Sequence, residues 1–143
     1  ADLRRRLAER LHAATAVRPL AAGPTAEAAL AEAHRVARDG RLTEASLLAA
    51  LQRGESQLAA ALLSLAAAMP LAAVERAVAL RDAKALVSLT WKAGFSMAAA
   101  TRLQSTLARL GPAELLAAGP RAGFPLAADE MRWQLDTLRK AGG

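Results

Sequence analysis

The chain has 143 residues, a formal net charge of +6 and no cysteine, and alanine and leucine together fill 65 of its positions. That length suits one domain with its own core, and the missing thiols exclude disulfides, thiolate metal sites and cysteine nucleophiles while fitting an intracellular, cytoplasmic protein. Two His, no Tyr and four aromatic residues leave little material for a catalytic site.

Leu and Ala are strong apolar helix formers, and the Val, Ile, Thr and aromatic residues that a sheet needs are scarce, so the composition predicts an all-α fold. Pro and Gly cut the chain into about eight helical pieces. The first runs from Asp2 to about Val17, with Leu3, Leu7, Leu11 and Ala14 on one face and Arg4, Arg5, Arg6 and Arg10 over much of the rest. A second starts after Pro24 with Thr25 as N-cap and stops at Gly40; Leu30, Ala33 and Ala37 line its buried side, Arg35 and Arg38 its wet side. Thr43 caps a third helix, with Glu44 in its positive first turn, Leu47, Leu48 and Leu51 inward, and Gly54 closing it.

Gln57 to Met69 is expected to be the central helix, because Leu58, Leu62 and Leu65 are accompanied by Ala59, Ala60, Ala61, Ala66, Ala67 and Ala68 and a helix apolar all round is normally a buried one. A short helix around Val74, Ala77 and Val78 then leads to a break near Arg81-Asp82. The next, Asp82 to Ala93, turns Leu86 and Leu89 inward and ends at Gly94. Ser96 caps a long helix carrying the stripe Met97, Ala100, Leu103, Leu107 and Leu110. After Gly111-Pro112 comes a helix of one or two turns around Leu115 and Leu116, and a last helix spans about Ala127 to Lys140 with acidic residues first and basic residues last.

The tetrapeptide Pro-Leu-Ala-Ala begins at Pro19, Pro70 and Pro125, and Ala-Gly-Phe begins at Ala93 and Ala122. These repetitions suggest stacked helical hairpins, a short α-solenoid, although Ala-rich helical chains repeat such strings by chance. No run of about 20 strongly apolar residues marks a membrane span, since the longest uncharged stretch, Ser56 to Val74, contains Pro70 and is rich in alanine. The chain opens on Ala1, as a processed or excised fragment would.

The stretch Gly40-Arg-Leu-Thr-Glu-Ala-Ser-Leu-Leu-Ala-Ala-Leu-Gln-Arg-Gly54, the Trp91-Lys-Ala-Gly-Phe-Ser-Met97 turn leading to Leu103-Gln104, and the closing Phe124-Pro-Leu-Ala-Ala-Asp-Glu-Met-Arg-Trp-Gln-Leu135 resemble, in residues, order and separation, a bacterial family known as domain of unknown function 2336. The resemblance covers residues 40–143, and residues 1–39 are similar to the repeat helices that precede that region in longer members. It implies one HEAT-like helical-repeat domain over residues 1–143. It implies no activity, catalytic residue or cofactor.

Candidate sites are few. His12 and His34 have no second His or Cys at helical spacing, so no metal site is expected. His34, with Arg38 four residues on and Gly40 beyond, is loosely like the phosphorylated helix of histidine phosphotransfer domains, which hold those residues closer. Asp129 and Glu130 point about 100° apart on a helix and suit capping better than acid–base work. Trp133 lies two positions from Met131 and Leu135, off their stripe; it is expected to fill a second seam of the core, the other reading being an exposed interface anchor.

The expectation is therefore a non-catalytic, all-α, HEAT-like scaffold without cofactor or metal, whose basic character selects an acidic protein partner. Arg4, Arg5, Arg6, Arg10, Arg35, Arg38 and Trp133 are its candidate interaction surface. The alternatives are a nucleic-acid module using those arginines against phosphates, and, more remotely, phosphotransfer at His34. No membrane association is expected, and such Ala-rich faces are compatible with self-association.

Overall fold

The computed structural model describes residues 24–142, so the expected helix from Asp2 to Val17 lies outside the described residues. Within them the chain is all-helical and without strands. Seven α-helices follow one another: α1 (Pro24–Arg38), α2 (Glu44–Gln52), α3 (Ser56–Ala67), α4 (Leu71–Ala79), α5 (Ala83–Lys92), α6 (Met97–Arg102) and α7 (Ala128–Gly142). A π-helical turn, Leu103–Leu107, extends α6, and a 3-10 turn, Pro120–Ala122, interrupts the long connection to α7.

The helix boundaries follow local chemistry. The Thr43, Asp82 and Ser96 side chains each accept the backbone N–H three residues on, at 3.2, 3.1 and 3.4 Å, and so cap α2, α5 and α6. The C-terminal ends of α1 to α5 share one device, a left-handed residue after the helix whose N–H and that of its successor return to the last carbonyls. Gly54 donates to the Leu51 carbonyl at 3.1 Å and Glu55 to Ala50 at 2.9 Å; the same pair of bonds recurs at Gly40, Ala68, Arg81 and Gly94. Glycine takes this conformation without cost, whereas Ala68 (φ 55°) and Arg81 (φ 52°) take it against the preference of a Cβ. Composition marks the first kind of end and hides the second.

Two helices form the centre. α3 buries Ala59, Ala60, Ala61, Leu62, Leu63, Ser64 and Ala67, as the alanine-rich reading anticipates, but Leu63 is enclosed along with Leu62, and Leu58 and Leu65 are only half-buried. α5 is as deep: every residue from Ala85 to Thr90 is buried. The small side chains Ser88 and Thr90 permit that closeness, and their hydroxyls donate to the Lys84 and Leu86 carbonyls one turn back, each at 2.7 Å. Around this pair, α1 packs along α3, and α7 packs on α5 and α4. α2 closes on α3, and α6 closes on α5 and α2.

Several expectations need correction. α1 begins at Pro24 itself and buries Ala26, Ala33 and Val36, leaving Ala37 half-buried. The stripe Met97, Ala100, Leu103, Leu107 and Leu110 is buried as anticipated, yet the α-helix stops at Arg102 and a wider π turn follows, which swings Gln104 inward beside Leu103. The helix expected around Leu115 and Leu116 does not form. The Leu116 N–H and carbonyl are taken instead by the Gln104 side chain, at 2.8 and 3.0 Å, which holds this segment as a strap across the π turn.

The repeated strings are not structurally equivalent either. Pro70 stands immediately before α4, Pro125 stands two residues further out from α7, and Pro19 lies outside the described residues. Gly94 is left-handed at a helix end, while Gly123 is not.

The segments singled out by the family resemblance meet in space. Glu44, in the first turn of α2, accepts both the backbone N–H and the hydroxyl of Ser96, at 2.7 and 2.8 Å, so one carboxylate serves the positive ends of α2 and α6 together. Across the molecule, the Arg81 guanidinium donates to the Arg109 carbonyl at 2.9 Å and pairs with Glu114 at 3.0 Å, tying the turn before α5 to the chain beyond the π turn. Phe95 and Phe124 sit half-buried at their turns and fill gaps between helices, as expected.

Candidate interaction surface

α7 is amphipathic, and its geometry decides which side chains face water. Met131, Leu135 and Leu138 fall on one side at spacings of four and three and are buried against α4 and α5. At about 100° per residue, Trp133 then points away from the core, and it is 61% exposed. The expectation that it fills a second core seam is thus overturned: among the described residues no helix covers that side of α7. Among the described residues Leu80, at the end of α4, is the other large apolar residue left in water.

The same periodicity places Arg132, Asp136 and Arg139 together on one flank of α7. Facing them across a cleft of about 550 Å³ are Trp91 and Lys92 from the last turn of α5, with Leu135 completing the lining. The Arg132 guanidinium lies 5.8 Å from the centre of the Trp91 ring, within range of a cation–π contact, and pairs with Asp129 at 2.8 Å. Arg139 pairs with Asp136 at 3.5 Å and directs its other nitrogen to the Met69 sulfur at 3.1 Å. Lys92 has no ion-pair partner among the described residues. The lining therefore carries three cations against one carboxylate.

Of the residues marked from sequence, Arg4, Arg5, Arg6 and Arg10 lie outside the described residues. Arg35 and Arg38 are exposed on α1, where Arg35 is engaged with Glu32. His34 is exposed on the same helix. Since α1 packs along α3 while α7 packs on α4 and α5, these arginines and Trp133 occupy different elements and do not converge on one site. A second hollow of about 510 Å³ between α1 and the start of α3 is lined by Glu32 and Glu55, the wrong sign for an acidic partner.

Sequence reading passed over Trp91, Lys92, Arg132 and Arg139. The signal available was the run Arg132, Asp136, Arg139 at spacings of four and three, one step round from the apolar stripe; the complement on α5 could be found only by knowing that α5 and α7 pack. Asp129 and Glu130 do stand in the first turn of α7, where Glu130 also pairs with Lys84 at 3.2 Å. Glu75 on α4 has its carboxyl held above the usual value of 4.5 because burial disfavours its charge. No described helix is long and apolar enough to cross a membrane. Among known proteins, no family model, no curated protein and no solved structure matches this chain.

Proposed function

We propose that this chain is a non-catalytic helical scaffold that acts in the bacterial cytoplasm by binding a protein with an acidic surface. The observation that carries this reading is Trp133. A large aromatic side chain, 61% in water and next in sequence to Arg132 of the basic cleft, has the character of an interface anchor, because Trp and Arg are enriched among the hot spots of protein–protein recognition. Contacts between alternate helices, α1 with α3, α3 with α5 and α5 with α7, support a HEAT-like stacked array and, with it, kinship to the domain of unknown function 2336 family. Such arrays offer extended rigid faces for recognition.

The test is capture from a bacterial lysate on the immobilised full chain, with nuclease present and at two salt concentrations, comparing wild type with Trp133→Ala. The expected result is a protein retained by wild type under both conditions and lost with Trp133→Ala. Recovery of nucleic acid alone, lost with nuclease or at high salt, would transfer the reading to Arg35, Arg38 and the N-terminal arginines.

A further inference from the structure

We infer that the cleft between α5 and α7 docks an acidic segment of the partner protein, with an apolar side chain of that segment resting on Trp91 and Leu135 and its carboxylates meeting Lys92, Arg132 and Arg139. This inference rests on the proposed scaffold role and assigns it a second, separate contact beside Trp133.

Charge complementarity selects the occupant. The lining sets three cations against one carboxylate, and the cations are available. Lys92 has no ion-pair partner among the described residues, and the Asp129 side chain that holds Arg132 is 97% exposed, so an incoming carboxylate exchanges for it at little cost. Asp136 reaches Arg139 only at 3.5 Å. The floor, an indole and a leucine, is apolar and asks for an apolar side chain between the carboxylates.

Nucleic acid fits less well. Asp129, Glu130 and Asp136 break any continuous track for phosphates along α7.

The test uses the full chain carrying Trp133→Phe, which leaves Trp91 as its one tryptophan and its emission as a reporter of the cleft. The probes are a short synthetic peptide alternating Glu and Leu, its counterpart with Gln for Glu, and a single-stranded DNA of similar length; amide shifts of the 15N-labelled protein locate the binding. The Glu–Leu peptide is expected to change Trp91 emission and to move the resonances of Trp91, Lys92, Arg132 and Arg139. The Gln peptide should bind at least about tenfold more weakly, and Lys92→Glu should weaken the Glu–Leu peptide by a similar factor, with circular dichroism unchanged because Lys92 is exposed.

Equal binding of the Gln peptide overturns the inference, as does unaltered affinity in both Lys92→Glu and Arg139→Gln, or displacement of the peptide by the DNA. If capture depends on Trp133 while Lys92→Glu retains the captured protein, the cleft assignment fails and the scaffold role stands. If neither a protein is captured nor the peptide bound, both fail.

Discussion

Replacing Gln104 by Met removes a clamp while keeping the volume that fills its site. Gln104 is fully buried, its amide N–H₂ donates to the Leu116 carbonyl at 3.0 Å, and its carbonyl accepts the Leu116 N–H at 2.8 Å. Methionine has similar length and can occupy the same space, so no large cavity should form. Both hydrogen bonds are lost, however, at about 0.5–1.5 kcal/mol each, and the two half-buried backbone groups of Leu116 must find water or remain unpaired. The Leu116 side chain, which packs on the cluster of Val87, Met97, Ala100 and Met131, also loses its tether.

We expect a loss of about 2 kcal/mol, which for a domain of this size corresponds to a fall in Tm of roughly 4–8 °C. Urea unfolding followed by circular dichroism measures the first, and hydrogen exchange at the Leu116 amide shows whether the strap has opened. Gln104→Glu provides an internal control. Protonated, it can restore both bonds; ionised, it buries a charge facing a carbonyl, so its stability should recover in acid. A Gln104→Met change smaller than about 0.5 kcal/mol with unaltered exchange at Leu116 would refute the clamp.

Other consequences are as direct. Glu44→Ala should cost about 1–2 kcal/mol, since it unpairs the Ser96 N–H and hydroxyl, and a double-mutant cycle with Ser96→Ala should show that the hydroxyl's part of this loss is shared, the backbone N–H keeping its own; additive effects would deny the hydroxyl contact. Ala68→Gly should stabilise the protein by up to about 1 kcal/mol, because Ala68 holds φ 55° at the end of α3; a destabilised variant would contradict that backbone assignment. Glu75→Gln tests the burial of Glu75. Its folded-state value lies above 4.5, so the penalty is absent below 4.5, builds as pH rises through the folded value and is complete above it; the Gln variant should be the more stable at neutral pH and indistinguishable in acid. Trp133→Ala should leave the unfolding midpoint nearly unchanged, given how little of that side chain is covered, while removing the captured protein.

Much of the architecture is written in local signals, each acting over a few residues. Alanine and leucine content sets the helical class. Thr43, Asp82 and Ser96 name their own helix starts through short side-chain acceptors, and Gly40, Gly54 and Gly94 name helix ends because a left-handed residue there costs glycine nothing. The stripe from Met97 to Leu110 and the triplet Met131, Leu135 and Leu138 give the inward faces by periodicity alone. The sequence also shows that Trp133 lies off that triplet; what it does not show is whether another helix waits on that side.

Tertiary structure decides the rest, because it depends on which elements become neighbours. Ala68 and Arg81 accept strained turns that only surrounding packing can impose. Leu115 and Leu116 have helical propensity, yet a buried glutamine twelve residues earlier takes over the Leu116 backbone and outweighs it. Trp91 and Lys92 become one cleft with Arg132 and Arg139 only when α7 lies across α5. Propensity, capping and periodicity are properties of a residue and its near neighbours, whereas a cleft is a property of two surfaces far apart in the chain, and its charge and shape exist only once burial has brought them together.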